Sequence, residues 1–134
     1  MKKILFIYII LLSSCELIEI GTKKTSTYEI DQDTPLGIVY LFKAGLDSNN
    51  IHYSSQLLAN DNGNYMLAFD RYELYDEISR IRRLIGNREI TYITSDTIGK
   101  NTYNIQLEFD YIKTISFRTE KTNRGWYITN YSEQ

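Results

Sequence analysis

The sequence predicts an α+β domain in which N-terminal helices pack on one face of a curved antiparallel sheet of about four strands. Two observations predict it. Between Pro35 and Ile85 apolar residues recur every three to four positions, the period of a helix face. From Arg88 onward they alternate with polar residues, the period of a strand with one buried side. Helices first and a run of strands afterwards is the order of a fold whose helices gather on one face of an antiparallel sheet.

The first helix starts at Asp33-Thr34-Pro35, where Asp33 or Thr34 caps free amides and Pro35 suits the first helical position. Ile38, Leu41, Phe42 and Gly45 make one face and Leu36, Val39, Tyr40 and Leu46 a second row, so this helix is expected to be buried on most sides. Asp47-Ser48-Asn49-Asn50 ends it and caps a short helix over 51–59. Asn60-Asp61-Asn62-Gly63-Asn64 is a turn by composition. It has the look of a calcium loop, but with Gly63 sixth, Leu58 would stand first and Phe69 twelfth, where carboxylates are required.

A third helix is predicted over 66–85, its stripe formed by Leu74, Ile78, Ile81 and Ile85 and widened by Tyr75 and Leu84. Asp70, Glu73, Asp76 and Glu77 crowd its first half and Arg80, Arg82 and Arg83 its second, an order that suits the helix dipole. Asp76 and Arg80 are spaced as an i, i+4 pair. These charges read as a solvated face rather than an anion site. Gly86 supplies the stop.

In the strand half, Ile90 and Tyr92 alternate with Glu89 and Thr91. After a turn around Gly99, Tyr103, Ile105, Leu107, Phe109 and Tyr111 alternate with Thr102, Asn104, Gln106, Glu108 and Asp110. A turn or bulge near 110–113 leads to Ile115 and Phe117, and Asn123-Arg124-Gly125 turns into a last strand with Trp126 and Ile128 on one face. The inward side of the sheet is read as Tyr103, Ile105, Leu107 and Phe109 with Tyr92 and Trp126 nearby; Tyr127 and Tyr131 are expected on the outer face.

The N-terminus has a different character. Met1-Lys2-Lys3 precedes an unbroken apolar run from Ile4 to Leu12, then Ser13-Ser14-Cys15. A basic start and a nine-residue apolar stretch are the pattern of a secretory signal. The run is far short of the ~20 residues a membrane-spanning helix needs. Leu12-Ser13-Ser14-Cys15 resembles the lipobox of bacterial lipoproteins, and Cys15 is the only cysteine. The resemblance implies that Cys15 carries a diacylglycerol and becomes the first residue after cleavage of residues 1–14. Two or more acyl chains make a stable anchor where one would be marginal. Glu16, rather than Asp, follows the cysteine, which by the same resemblance favours the outer over the inner membrane where an envelope has two. Residues 15–32 then form the lipidated Cys and its tether, whose 17 residues after Cys15 reach at most ~55–60 Å; a short strand or helix over 27–30 is an alternative. Residues 33–134 form the single domain.

Loss of Lys2 and Lys3 leaves 13 basic against 17 acidic side chains, a formal charge of about −4. That argues against a sequence-independent nucleic-acid binder, whose affinity comes from clustered Lys and Arg. With one Cys the domain is held by its core and not by an internal disulfide.

The helix–helix–helix order followed by strands closing on Gly125-Trp126-Tyr127-Ile128 resembles the nuclear transport factor 2-like, or cystatin-like, superfamily. The resemblance implies a helix–sheet cone, which in enzymes of this fold holds a carboxylate or His beside a Tyr. In the register read above no Asp, Glu or His falls on the inward face, so a proton-abstraction site lacks its base. His52, on the short second helix, has no evident catalytic or metal partner and reads as a surface or capping residue. No Ser/His/Asp, paired-Cys or phosphate-loop pattern is present. The expectation is a non-catalytic protein without metal or cofactor, anchored to a membrane through lipid on Cys15. It binds or scaffolds an envelope protein partner through exposed tyrosines such as Tyr127 and Tyr131. The alternative is a cone-shaped pocket for a small apolar ligand or lipid, lined by Tyr40, Tyr92, Tyr103 and Trp126.

Overall fold

The computed structural model describes residues 30–134; the predicted signal peptide, Cys15 and all but the last three residues of the predicted tether lie outside them. The described chain runs through four helices and then four strands, an α+β fold with a curved antiparallel sheet. The helices are α1 (Pro35–Asp47), α2 (Ile51–Gln56), α3 (Ala68–Glu73) and α4 (Tyr75–Ile85). The strands β1 (Ile90–Gly99), β2 (Thr102–Phe109), β3 (Lys113–Thr122) and β4 (Gly125–Glu133) lie side by side in chain order.

Helix α1 is set as its sequence demands. The Thr34 hydroxyl accepts the Gly37 amide at 2.9 Å, Pro35 opens the helix, and Ile38, Val39, Phe42 and Leu46 are fully buried against the sheet. Gly45 is where α1 meets α2: a β-carbon there would sit 2.3 Å from the Ser54 hydroxyl. Asn50 caps α2 through the Tyr53 amide.

Helix α2 is shorter than the predicted 51–59 because its continuation has another task. Residues 57–59 run beside β4, where the Ile128 amide donates to the Leu57 carbonyl at 3.0 Å and the Ala59 amide donates to the Ile128 carbonyl at 2.9 Å. Gln32 extends the same cover: its carbonyl accepts the Trp126 amide at 3.0 Å, and its side-chain amide donates to the Trp126 carbonyl at 3.1 Å. The first half of the β4 edge is thus covered, and Gln32, predicted to belong to the tether, is bonded to the sheet.

The predicted helix over 66–85 is two helices that meet at Leu74. The apolar stripe begins only there. Leu67, Phe69 and Tyr72 are exposed and α3 buries none of its residues, whereas α4 buries Ile78, Ile81 and Ile85. A segment with no face against the core has no reason to share the axis of one that has. On α4, Arg80 pairs with Glu77 at 2.7 Å and reaches Glu133 at 3.5 Å, in place of the predicted pair with Asp76. Gly86 ends α4 for space, since a β-carbon would meet the Arg82 carbonyl at 2.6 Å; the left-handed residue is Asn87 (φ 57°), whose amide donates to Asp47.

The core lies between the helices and the inner face of the sheet, where Ile105, Leu107, Phe109, Ile115, Phe117 and Ile128 are fully or almost fully buried. Phe42 packs edge-on against Phe117 with ring centroids 6.0 Å apart. The outer face carries polar ladders, such as Ser116 donating to Asn104 at 2.8 Å. Among the described residues no helix is long and apolar enough to cross a membrane.

Candidate functional site

The four aromatic residues expected to line one cone fall into two separate pairs. Tyr103 and Trp126 are packed edge-to-face, with centroids 5.5 Å apart, and Trp126 is only 6% exposed. They belong to the core. Tyr40 and Tyr92 instead line an open groove of about 580 Å³ between α1 and β1, together with Ile30, Lys43, Arg88 and Ile90.

Tyr92 is 62% exposed, which corrects its expected inward position. The cause is a bulge. Ile90 pairs with Phe109 but Tyr92 pairs with Glu108, so one extra residue, Thr91, is inserted and the alternation slips. Ile90 and Ile93 pack on the core, and Tyr92 turns outward between them. The Thr91 hydroxyl fixes the bulge, donating toward Glu108 and accepting the Tyr111 amide at 3.1 Å.

A second bulge corrects the expected outward face of β4. Arg118 pairs with Asn130 and Thr119 with Ile128, leaving Thr129 as the extra residue. Tyr131 therefore turns inward onto Phe42 and Phe117, and burial pushes its phenol up to about 12. Tyr127 does face away from the core yet is only 5% exposed, because the loop ending at Tyr65 folds over it. The two hydroxyls are hydrogen-bonded, and the Arg124 guanidinium lies 4.5 Å from the centre of the Tyr65 ring. The bond with Tyr127 and the nearby arginines lower the Tyr65 phenol from its ordinary value, while burial raises that of Tyr127. The pair clamps the 60–65 loop onto β4 and leaves neither Tyr127 nor Tyr131 as an exposed contact surface.

The groove is more polar than the cone that was expected. Its floor holds Lys43, nearly buried, whose ammonium donates to both carboxylate oxygens of Asp47 at 2.6 and 2.7 Å and lies 5.8 Å from the centre of the Phe109 ring. Asp47 also accepts the Asn87 amide, tying the end of α1 to the start of the sheet. Both charges of the floor are therefore engaged with each other.

Beside the groove runs the open edge of β1. It is a border strand of the sheet, and no described residue pairs with its outer side. Its register is regular over residues 92–97, about 20 Å of strand. The guards that commonly blunt such edges are scarce: β1 has no Lys and no Pro, and Asp96 is its only charge. Periodicity flagged Tyr92 for the wrong reason and gave no sign of the edge; the absence of Lys and Pro in β1 was the available signal.

His52 is exposed, its Nδ1 2.8 Å from the Tyr75 hydroxyl and its Nε2 3.0 Å from the Gln56 amide. Among the described residues no three His, Cys, Asp or Glu side chains converge as a metal site. The sequence matches no protein-family model and no characterised protein.

Proposed function

We propose that this chain is a lipid-anchored protein of a bacterial cell envelope, held through Cys15, whose domain docks a protein partner and catalyses nothing. The partner supplies an extended segment that adds to the open edge of β1. The observation that supports this most is the asymmetry of the sheet: the first half of the β4 edge is covered by Gln32 and residues 57–59 at Trp126 and Ile128, while the regular run of β1 has no pairing partner on its outer side among the described residues. Main-chain bonds to such an edge give affinity, and the flanking groove receives alternate side chains of the incoming strand. The fold is read as a cystatin-like cone whose interior is filled, so recognition moves from the inside to the rim. The lipobox motif and Glu16 favour attachment to the outer membrane where there are two membranes.

A small apolar ligand in the same groove is the second reading. It is favoured by the groove's volume, which lies within the ~300–1,000 Å³ usual for ligand sites, and by the presence of Tyr40 and Tyr92.

The test is photo-crosslinking in intact cells with a benzoyl-phenylalanine in place of Thr94 on the edge strand or of the exposed Arg118 on the outer face. Docking at the edge gives a polypeptide adduct from position 94 that is absent from 118 and is lost when Ser95→Pro is added to block strand addition. Equal labelling at both positions, or none at 94, rejects edge docking. Separately, Cys15→Ala is expected to remain an uncleaved precursor that incorporates no labelled palmitate; normal maturation of that variant rejects the anchor.

A further inference from the structure

The most exposed large apolar residues of the domain are neighbours. Tyr111 and Ile112, each 81% exposed, form the tip of the turn between β2 and β3. This turn is built against local preference. Asp110 and Tyr111 both have positive φ (51° and 61°), and the Ile112 amide closes the turn on the Phe109 carbonyl at 3.0 Å. Consecutive left-handed residues in such a turn favour Asn-Gly, and a bulky aromatic there is an outlier.

The tip is nevertheless held firmly. The Asp110 carboxylate accepts from Arg88 and from the Glu89 amide, each at 3.1 Å, the Asp110 amide donates to the Glu89 carbonyl, and Thr91 accepts the Tyr111 amide. Two apolar side chains are thus fixed in solvent on a rigid support. Observed strain of this kind is a reason to look for a function.

Resting on the reading of Cys15 as lipidated, we infer that Tyr111 and Ile112 sit in the headgroup–acyl boundary of the bilayer that holds the anchor. Position argues for lipid. Ile30, where the chain arrives from Cys15, lines the same groove as Thr91 and Tyr92, and Thr91 is bonded to the tip. The 14 residues between Cys15 and Ile30 reach roughly 50 Å at most, so the anchor keeps this side of the domain within constant reach of the membrane and even weak insertion is favoured. Chemistry agrees: tyrosine places its ring among apolar groups with its hydroxyl in water, as it does at membrane interfaces. The carboxylates of Asp110 and Glu133 are matched by Arg88 and by Lys113 and Arg80, while Glu89 has no cationic partner among the described residues. Insertion therefore needs no anionic lipid.

The experiment uses the full lipidated protein in phosphatidylcholine vesicles, with a tryptophan reporter at the tip (Ile112→Trp) or at the opposite end of β1 (Ile98→Trp). Trp126, buried in both, gives a common background. Acyl-brominated lipid is expected to quench the Ile112→Trp signal at least twofold and to leave the Ile98→Trp signal unchanged. Flotation with the vesicles is scored in parallel. Protein that floats without quenching at 112, or with equal quenching at 98, overturns the insertion and leaves the anchor standing. A tip adduct to a polypeptide in cells, with no quenching in vesicles, assigns the tip to a protein and likewise overturns it. Failure of the unmodified protein to float removes the anchor and the inference with it.

Discussion

Replacing Phe42 with alanine separates a filled cone from a ligand cavity. Phe42 is fully buried on α1, packs against the rings of Phe117 and Tyr131 at 6.0 and 6.2 Å, and is flanked by Ile38 and Leu46, which are also fully buried. Truncating such a ring in a close-packed site costs about 3–5 kcal/mol, because neighbours held on rigid elements cannot collapse into the space. The two lost aromatic contacts, each worth roughly 0.5–1.5 kcal/mol beyond area, place this site toward the upper end. With a urea dependence of about 1.5 kcal/mol/M, the unfolding midpoint falls by about 2–3 M. Trp126 fluorescence reports the transition. A small domain has only about 5–15 kcal/mol in total, so Phe42→Leu, expected to cost about 1–2 kcal/mol, keeps the measurement possible if the alanine variant does not fold. A loss below about 1 kcal/mol for Phe42→Ala would mean that the space between α1 and the sheet is already open to solvent or ligand. The reading of a sealed interior, and with it the move of recognition to the rim, would then be refuted.

The remaining predictions concern single positions. Gly45→Ala should destabilise by about 1–3 kcal/mol, since its β-carbon would overlap the Ser54 hydroxyl; adding Ser54→Ala, which removes a buried hydroxyl without a partner, should recover much of the loss in a double-mutant cycle. Burial raises the Tyr131 phenol from 10.0 to about 12, so the folded state resists its ionisation: the associated stability is present in full below about pH 10 and is lost as pH climbs toward 12. After discounting for partial exposure this amounts to roughly 1–2 kcal/mol, read as an alkaline fall in urea midpoint that Tyr131→Phe flattens; parallel profiles for the two proteins would contradict it. Tyr111→Gly relieves a left-handed aromatic and should raise stability by about 0.5–1 kcal/mol, whereas a clear loss would show that this tyrosine packs for the fold.

The class of fold and most element types were legible because they rest on strong local signals. Thr34-Pro35 starts a helix through its hydroxyl and its fixed φ, and the change of period at Gly86 divides helices from strands. Residues 66–85 read as one helix because propensity favours helix throughout, yet propensity carries no information on whether Leu67, Phe69 and Tyr72 have anything to pack against. The short α2 was misjudged for a related reason: residues 57–59 are needed to cover the first half of the β4 edge, a demand set by a strand seventy residues away.

Placement of the tyrosines was the least legible feature, and bulges explain why. A period of two fixes each side chain's face only while every residue has one partner. Thr91 and Thr129 each add a residue, and each reverses the face of the aromatic that follows: Tyr92 moves out of the core and Tyr131 into it. Two inserted residues thus exchange the expected faces of these two tyrosines. The same bulge at Thr91 holds the Tyr111 tip and borders the groove of Ile30, so the departure from alternation and the exposed apolar surface have one local origin. A strand that kept its period would have buried Tyr92 and left Tyr111 without its amide partner. The surface that faces outward exists because alternation fails there, which is why a reading built on alternation looked for it inside the cone.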